Sequence, residues 1–104
     1  VYDCLRHFPP FCNWKLPPSE DIELHVSLQE DAFAVYHRSG EQHGITISMT
    51  LVKNWQTLVE SVAHEMVHPH QARAGTETRL EHNREWRRLA KTVCDSFGWN
   101  KDNF

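Results

Sequence analysis

Apolar and polar residues alternate along "IELHVSL", residues 22–28, with Ile22, Leu24, Val26 and Leu28 set against Glu23, His25 and Ser27. A period of two marks a half-buried strand. "AFAVYHR", residues 32–38, is rich in β-forming residues. "SGEQHG" then breaks the chain, and "ITISMTL" puts Ile45, Ile47 and Met49 on one side. These two runs predict a hairpin with a loop of several residues. The period next changes to 3.6. Trp55, Leu58, Val59, Val62, Ala63, Met66 and Val67 recur at i, i+3, i+4, i+7, i+8, i+11 and i+12, which predicts an amphipathic helix. Asn54 is its expected N-cap. Pro69 has no N–H to donate back to residue 65, so the regular helix is expected to end or kink there. Gly75 and Thr76 mark a turn. A second helix carries Trp86, Leu89, Ala90, Val93, Cys94 and Phe97 and stops at Gly98. It starts either at an Asn83 cap or at a capping box of Thr78 and Glu81.

Residues 1–20 hold Pro9, Pro10, Pro17 and Pro18, so this segment is expected to be irregular or extended. Tyr2, Leu5, Phe8, Phe11, Trp14 and Leu16 are too apolar for a solvated tail, and the arm is expected to pack over the rest. At 104 residues the chain reads as a single domain, residues 1–104, of the α+β class. The expected architecture is a small antiparallel or mixed sheet packed on two main helices.

A net charge of −3 argues against a dedicated nucleic-acid binder. No run approaches the roughly 18 apolar residues that span a bilayer. The start, "VYDCLRHFPP", lacks a signal-peptide pattern and an initiator methionine, which reads as a trimmed or excised domain. Cys4, Cys12 and Cys94 include no CxxC pair, so they suggest neither a disulfide framework nor a cysteine zinc site. A reducing cytoplasm is the expected compartment and a monomer the expected state. A Cys4–Cys12 bridge stays open on geometry.

The chemistry concentrates in "HEMVHPHQARAGTETRLEHNREW", residues 64–86. His64 and His68 stand at i and i+4, on one helix face. At roughly 100° per residue that face lies opposite the apolar stripe, toward a cleft or solvent. Two neutral imidazoles one turn apart can share one Zn²⁺, and Glu65 between them can act as general base toward the attacking water. Chance yields such a spacing in about one chain in twenty of this composition, so the helical context matters. A catalytic zinc needs a third protein ligand and an open position. His70, Glu81, His82 and Glu85 are the candidates. His82 is favoured because the chain turns before it, and it shares a side with Trp86, Leu89 and Val93, which must pack inward. Glu81 or Glu85 would make a gluzincin-type site instead.

"HEMVH" followed after thirteen residues by "HNREW" resembles the SprT-like zinc metallopeptidases, the group that includes the Spartan proteases. "ITISMTLVKNWQTLVESVAHEMVH" is similar to that family's strand and active-site helix, and the likeness covers roughly residues 32–99. The resemblance implies a zincin-like fold, with His64, His68 and His82 as ligands to Zn²⁺ and Glu65 as general base or acid. The metal would be held by the active-site helix and the start of the next, with Trp86 as a packing aromatic. Asn83 stands where the family often has glycine, and Pro69 directly after a ligand is unusual. The DNA-repair role of longer relatives is not carried over. The expectation is a zinc metalloendopeptidase in a small bacterial or phage protein, acting on protein or peptide segments that are extended or unfolded.

Two other readings compete: a zinc-binding but catalytically silent module, and a DNA-associated protease. The latter would use Arg84, Arg87, Arg88 and Lys91, a basic stripe that otherwise reads as a solvated helix face. "ITISMTL" is a candidate edge for pairing with an extended substrate. His7, His25, His37 and His43 are scattered and read as non-ligands.

Overall fold

The computed structural model describes residues 1–104 apart from Gln29 and Asp31, and apart from the side chain of Asn103. The arm holds more regular structure than its prolines predict: a short helix α1 (Tyr2–Leu5) and 3-10 turns at Phe11–Asn13 and Ser19–Asp21. The Tyr2 hydroxyl donates to the Pro17 carbonyl at 2.6 Å and closes the arm on itself. Tyr2, Leu5, Phe11 and Leu16 are buried in the same core cluster as Ile22, Ile45, Val62, Met66 and Val93. Cys4 and Cys12 are free and exposed, and Cys94 is free and buried.

Three strands follow: β1 (Ile22–Ser27), β2 (Ala34–Ser39) and β3 (Gln42–Ser48). Their order is β1-β3-β2, with β1 parallel to β3 and β2 antiparallel to it. The hairpin turn is tighter than predicted, because the strands pair up to Ser39 and Gln42 and leave only Gly40 and Glu41 between them. Gly40 takes φ 61°, which an L side chain rarely adopts, so glycine permits the short turn. "ITISMTL", the candidate edge, is the central strand. The edges are β1 and β2.

Alternation places β1 correctly but misjudges its cover. Leu24, Val26 and Leu28 are 48%, 65% and 78% exposed. The two main helices are α2 (Trp55–Ala74) and α3 (Arg84–Phe97), and α2 lies across β2 and β3. The apolar side of β1 therefore projects past the layer that would bury it. Trp55, at the first turn of α2, is likewise exposed.

Asn54 caps α2 as predicted, its Oδ1 accepting the Thr57 N–H at 2.8 Å. The helix does not end at Pro69. It runs through the proline to Ala74 and stops at Gly75, φ 76°. Pro69 is fully buried, and packing of its ring offsets the hydrogen bond it cannot make. The extra turn carries His70 and Arg73 to the arm: His70 Nδ1 accepts the Lys15 N–H at 2.9 Å, and Arg73 donates to the Leu16 carbonyl at 2.7 Å. No helix among the described residues is long and apolar enough to cross a membrane.

Asn83 caps α3, and the Thr78–Glu81 alternative is not used. Asn83 Oδ1 accepts the Trp86 N–H at 2.9 Å and a bond from Gln71 Nε2 at 3.1 Å, while Nδ2 donates to the Thr76 carbonyl at 3.1 Å. One side chain thus starts α3, folds the preceding turn and satisfies a buried glutamine of α2. Replacing the exposed cap, Asn54→Ala, is expected to cost about 1 kcal/mol. Asn83→Ala is expected to cost about 2–3 kcal/mol, because it also leaves Gln71 Nε2 with only the 3.5 Å contact to the Thr76 carbonyl. Urea titrations of both variants check the order, and equal shifts in midpoint would show that the Gln71 link contributes nothing.

Candidate metal centre

His64, Glu65, His68 and Gln71 stand at i, i+1, i+4 and i+7 of α2, within an arc of about 120° at 100° per residue. This polar seam lies opposite the apolar stripe, as the sequence predicts. It does not face open solvent: Glu65, His68 and Gln71 are buried and His64 is half-buried. From Val62 to Gln71 the helix is enclosed on nearly all sides. Buried polar groups need partners, and a missing one costs about 1–3 kcal/mol.

Three of the four find partners on different elements. Gln71 bonds Asn83 in the turn before α3. Glu65 has the backbone N–H of Tyr36 on β2 beside it, which favours the ionised carboxylate. His64 Nδ1 lies 2.7 Å from the main-chain carbonyl oxygen of Phe104. The fourth is His68, whose Nε2 is buried and has no hydrogen-bond partner among the described residues. The nearest carboxylate oxygen, Glu81 Oε1, is 3.8 Å away, too far for a hydrogen bond.

His68 Nε2 is not isolated from other donors. His64, His68 and His82 each offer one ligand atom, and these atoms all lie within 4.8 Å of one another. His82 sits in the turn just before α3, on the solvent side, where its ring stacks on Trp86 at 4.0 Å and 22°. Trp86 also lies under His64, with centroids 4.7 Å apart. Tyr36 stacks on the other imidazole, His68, at 5.5 Å, and its hydroxyl shares a 2.6 Å hydrogen bond with His43 Nδ1. The three rings are therefore held by aromatic packing. An orphaned buried nitrogen within a converging set of imidazoles fits a borderline divalent cation such as zinc.

The electrostatics agree. Burial pushes the His68 pKa down to about 4, with His82 and His64 nearby adding to the effect. Burial lowers His64 as well, against the hydrogen bond to Phe104. Both rings are neutral at physiological pH, the form that donates a lone pair to a metal. Burial raises the Glu65 carboxyl to about 8, the Glu81 carboxylate adds to this, and the Tyr36 N–H opposes it. Glu65 Oε2 lies 3.4 Å from His64 Nε2, at the mouth of the cluster.

Two of the three remaining ligand candidates stand elsewhere. His70 is tied to the arm and stacks on Trp14 at 4.8 Å. Glu85 is held by Nε and Nη2 of Arg88 at 2.6 and 2.7 Å. Glu81 stays close, lining a groove of about 790 Å³ with His64, Glu65 and His82. Ala34 and Val35 of β2 and Thr57, Glu60 and Ser61 of α2 line it too, as does Phe104. Tyr36 and Phe104 escaped the sequence reading because both reach the seam from elements distant in sequence, with the main chain as well as the ring, and no local spacing marks such contacts.

Compared with models of known protein families, residues 1–103 match the SprT-like family. The chain belongs to the SprT-like family. A search of curated proteins found no match. In this SprT-like chain, Asn83 is a cap that ties the His82 turn to α2.

For the metal-free protein the pKa shifts set a pH dependence. Glu65 has a folded value of about 8 against an ordinary 4.5, so the folded chain keeps a proton that the unfolded chain releases, and stability falls as pH rises between them. His68 acts the other way, with stability falling as pH drops from 6.5 toward about 4. The two oppose each other between 4.5 and 6.5, and Glu65 acts alone above that. Chelated protein is expected to lose about 1–2 kcal/mol from pH 6.5 to 8, and Glu65→Gln to lose almost none. Parallel denaturation at the two pH values checks this, and an equal loss in the variant would remove Glu65 as the cause.

Proposed function

We propose that this chain is a zinc-dependent metallopeptidase that hydrolyses amide bonds in extended protein or peptide segments. The observation that carries the reading is the buried, unpartnered His68 Nε2 within reach of His64 and His82, beside a buried glutamate. His64, His68 and His82 would hold the ion, leaving a position open toward the groove. A bound Zn²⁺ would supply Lewis acidity, lowering the pKa of water toward about 7 and polarising the scissile carbonyl.

Glu65 does the proton work. Its carboxylate accepts a proton from the water that attacks the carbonyl carbon, then delivers it to the departing amine as the C–N bond breaks. A cation in the cluster would draw the Glu65 pKa down into the range where it can accept. The Tyr36 N–H fixes one side of the carboxylate.

The sheet order supports one placement of an extended substrate. In a two-residue hairpin the closing pair, Ser39 and Gln42, is hydrogen-bonded, so His37 and Val35 also bond to β3. Ala34, Tyr36 and Arg38 then turn their N–H and C=O groups outward from the edge. Tyr36 spends its N–H on Glu65, while Ala34 lines the groove and is the edge position open to an extended chain.

One observation favours a second reading. Glu81 lies 3.8 Å from His68 Nε2, near enough to close the fourth position and make a silent structural site. A DNA-associated role has less support, because Arg88 and Lys91 of the basic stripe are paired with Glu85 and Asp95.

Glu65→Gln should retain zinc while casein hydrolysis falls by about 10² to 10⁴. Wild-type cleavage that is unaffected by this change would sink the peptidase reading. Zinc bound by wild type, with no cleavage unless Glu81 is replaced by alanine, would establish the silent site. His82→Ala should lower zinc affinity by more than about 100-fold, since even outer partners are worth 10–100-fold. Full affinity in that variant would move the third ligand to Glu81. Chelation should cost about 2.7 kcal/mol relative to protein at a hundredfold excess of zinc over Kd, several degrees in Tm.

A further inference from the structure

The chain does not leave the site when α3 ends. Gly98 takes φ 72°, and the Trp99 N–H reaches back to the Cys94 carbonyl at 2.9 Å, turning the chain off the helix. Asn100 Oδ1 then accepts the Asp102 N–H at 2.9 Å and starts a 3-10 turn over Lys101–Asn103. The Phe104 N–H bonds the Lys101 carbonyl at 3.3 Å. These turns bring Phe104 back over the cluster, with its ring 5.3 Å from His64, 6.1 Å from Trp86 and 6.2 Å from Trp99. There its carbonyl oxygen meets His64 Nδ1 at 2.7 Å.

The main-chain oxygen of Phe104, as a carbonyl or as a terminal carboxylate, can only accept. The His64 hydrogen bond therefore requires the proton on Nδ1, and a neutral imidazole then carries its lone pair on Nε2. Nε2 is the nitrogen that lies 3.4 Å from Glu65. With that bond absent, the His64 ring could carry its proton on either nitrogen and turn about χ2. Outer partners of this kind commonly change metal affinity by about 10–100-fold.

We infer that the segment Trp99–Phe104 is a working part of the metal centre: the Phe104 carbonyl is a positioning group that holds His64 with Nε2 toward the ion. This rests on the metal reading above. Phe104 also presents its ring to the groove, so the same residue orients a ligand and forms part of the substrate wall.

The test is zinc titration against a competing chelator for three proteins: the full chain, Phe104→Ala, and a chain ended at Asn100. The alanine variant keeps the carbonyl and should lose less affinity than the shortened chain. The shortened chain should bind zinc about 10–100-fold more weakly. If the full chain takes up no zinc, the metal reading fails and this inference with it. If the full chain binds and the shortened chain, folded by circular dichroism, binds equally tightly, the inference alone is overturned. Should the shortened chain fail to fold, long-range ¹H–¹⁵N spectra of the zinc-loaded full chain decide. A proton on His64 Nδ1 supports the inference, and a proton on Nε2 overturns it.

Discussion

The structure depends on the burial of a polar seam. Helix α2 runs between the sheet on one side and α3 with the arm on the other, so from Val62 to Gln71 its second face is largely covered and meets solvent only along the groove at His64 and Glu65. Each polar group there must be met by the protein or by something the protein binds. Glu65 is met from β2, Gln71 from the turn before α3, and His64 from the tail. Three separate parts of the chain are fastened to one helix by the need to satisfy its side chains. His68 is the member left over: among the described residues its Nε2 has no hydrogen-bond partner, and with His64 and His82 beside it the group could hold a metal ion.

The same constraint explains the geometry around the seam. Because β3 takes the centre of the sheet, β2 becomes the edge beside α2, and its outward N–H at Tyr36 is free to reach Glu65. Because α2 continues through Pro69, His70 and Arg73 hold the arm, and Gln71 reaches Asn83. His82 has no hydrogen bond of its own to the seam. It is placed by Asn83 next to it and by stacking on Trp86, which makes the exposed member of the cluster dependent on buried neighbours.

Much of the fold was legible from periodicity. The strand at Ile22, the hairpin and both helices follow from spacing, as do the caps at Asn54 and Asn83 and the stop at Gly98. What failed was cover and continuation. Leu24, Val26 and Leu28 alternate as a buried face should, but alternation reports only that one side is apolar, and an edge strand past the end of the helix layer leaves that side open. Pro69 carries a strong local penalty, yet a fully buried ring in a helix packed on both sides outweighs it.

His64, Glu65 and His68 could be read as one chemical unit because helical spacing alone puts them within an arc, and a turn before Trp86 was enough to favour His82. Those relations are local, and local rules of chain geometry carry them. Only the tertiary structure decided that the seam is buried, that β2 and not β3 is the edge beside it, and that the chain returns at Phe104 to hold His64. These are long-range arrangements made through main-chain N–H and C=O groups. Every residue carries those groups, so the sequence holds no mark of which ones will be used.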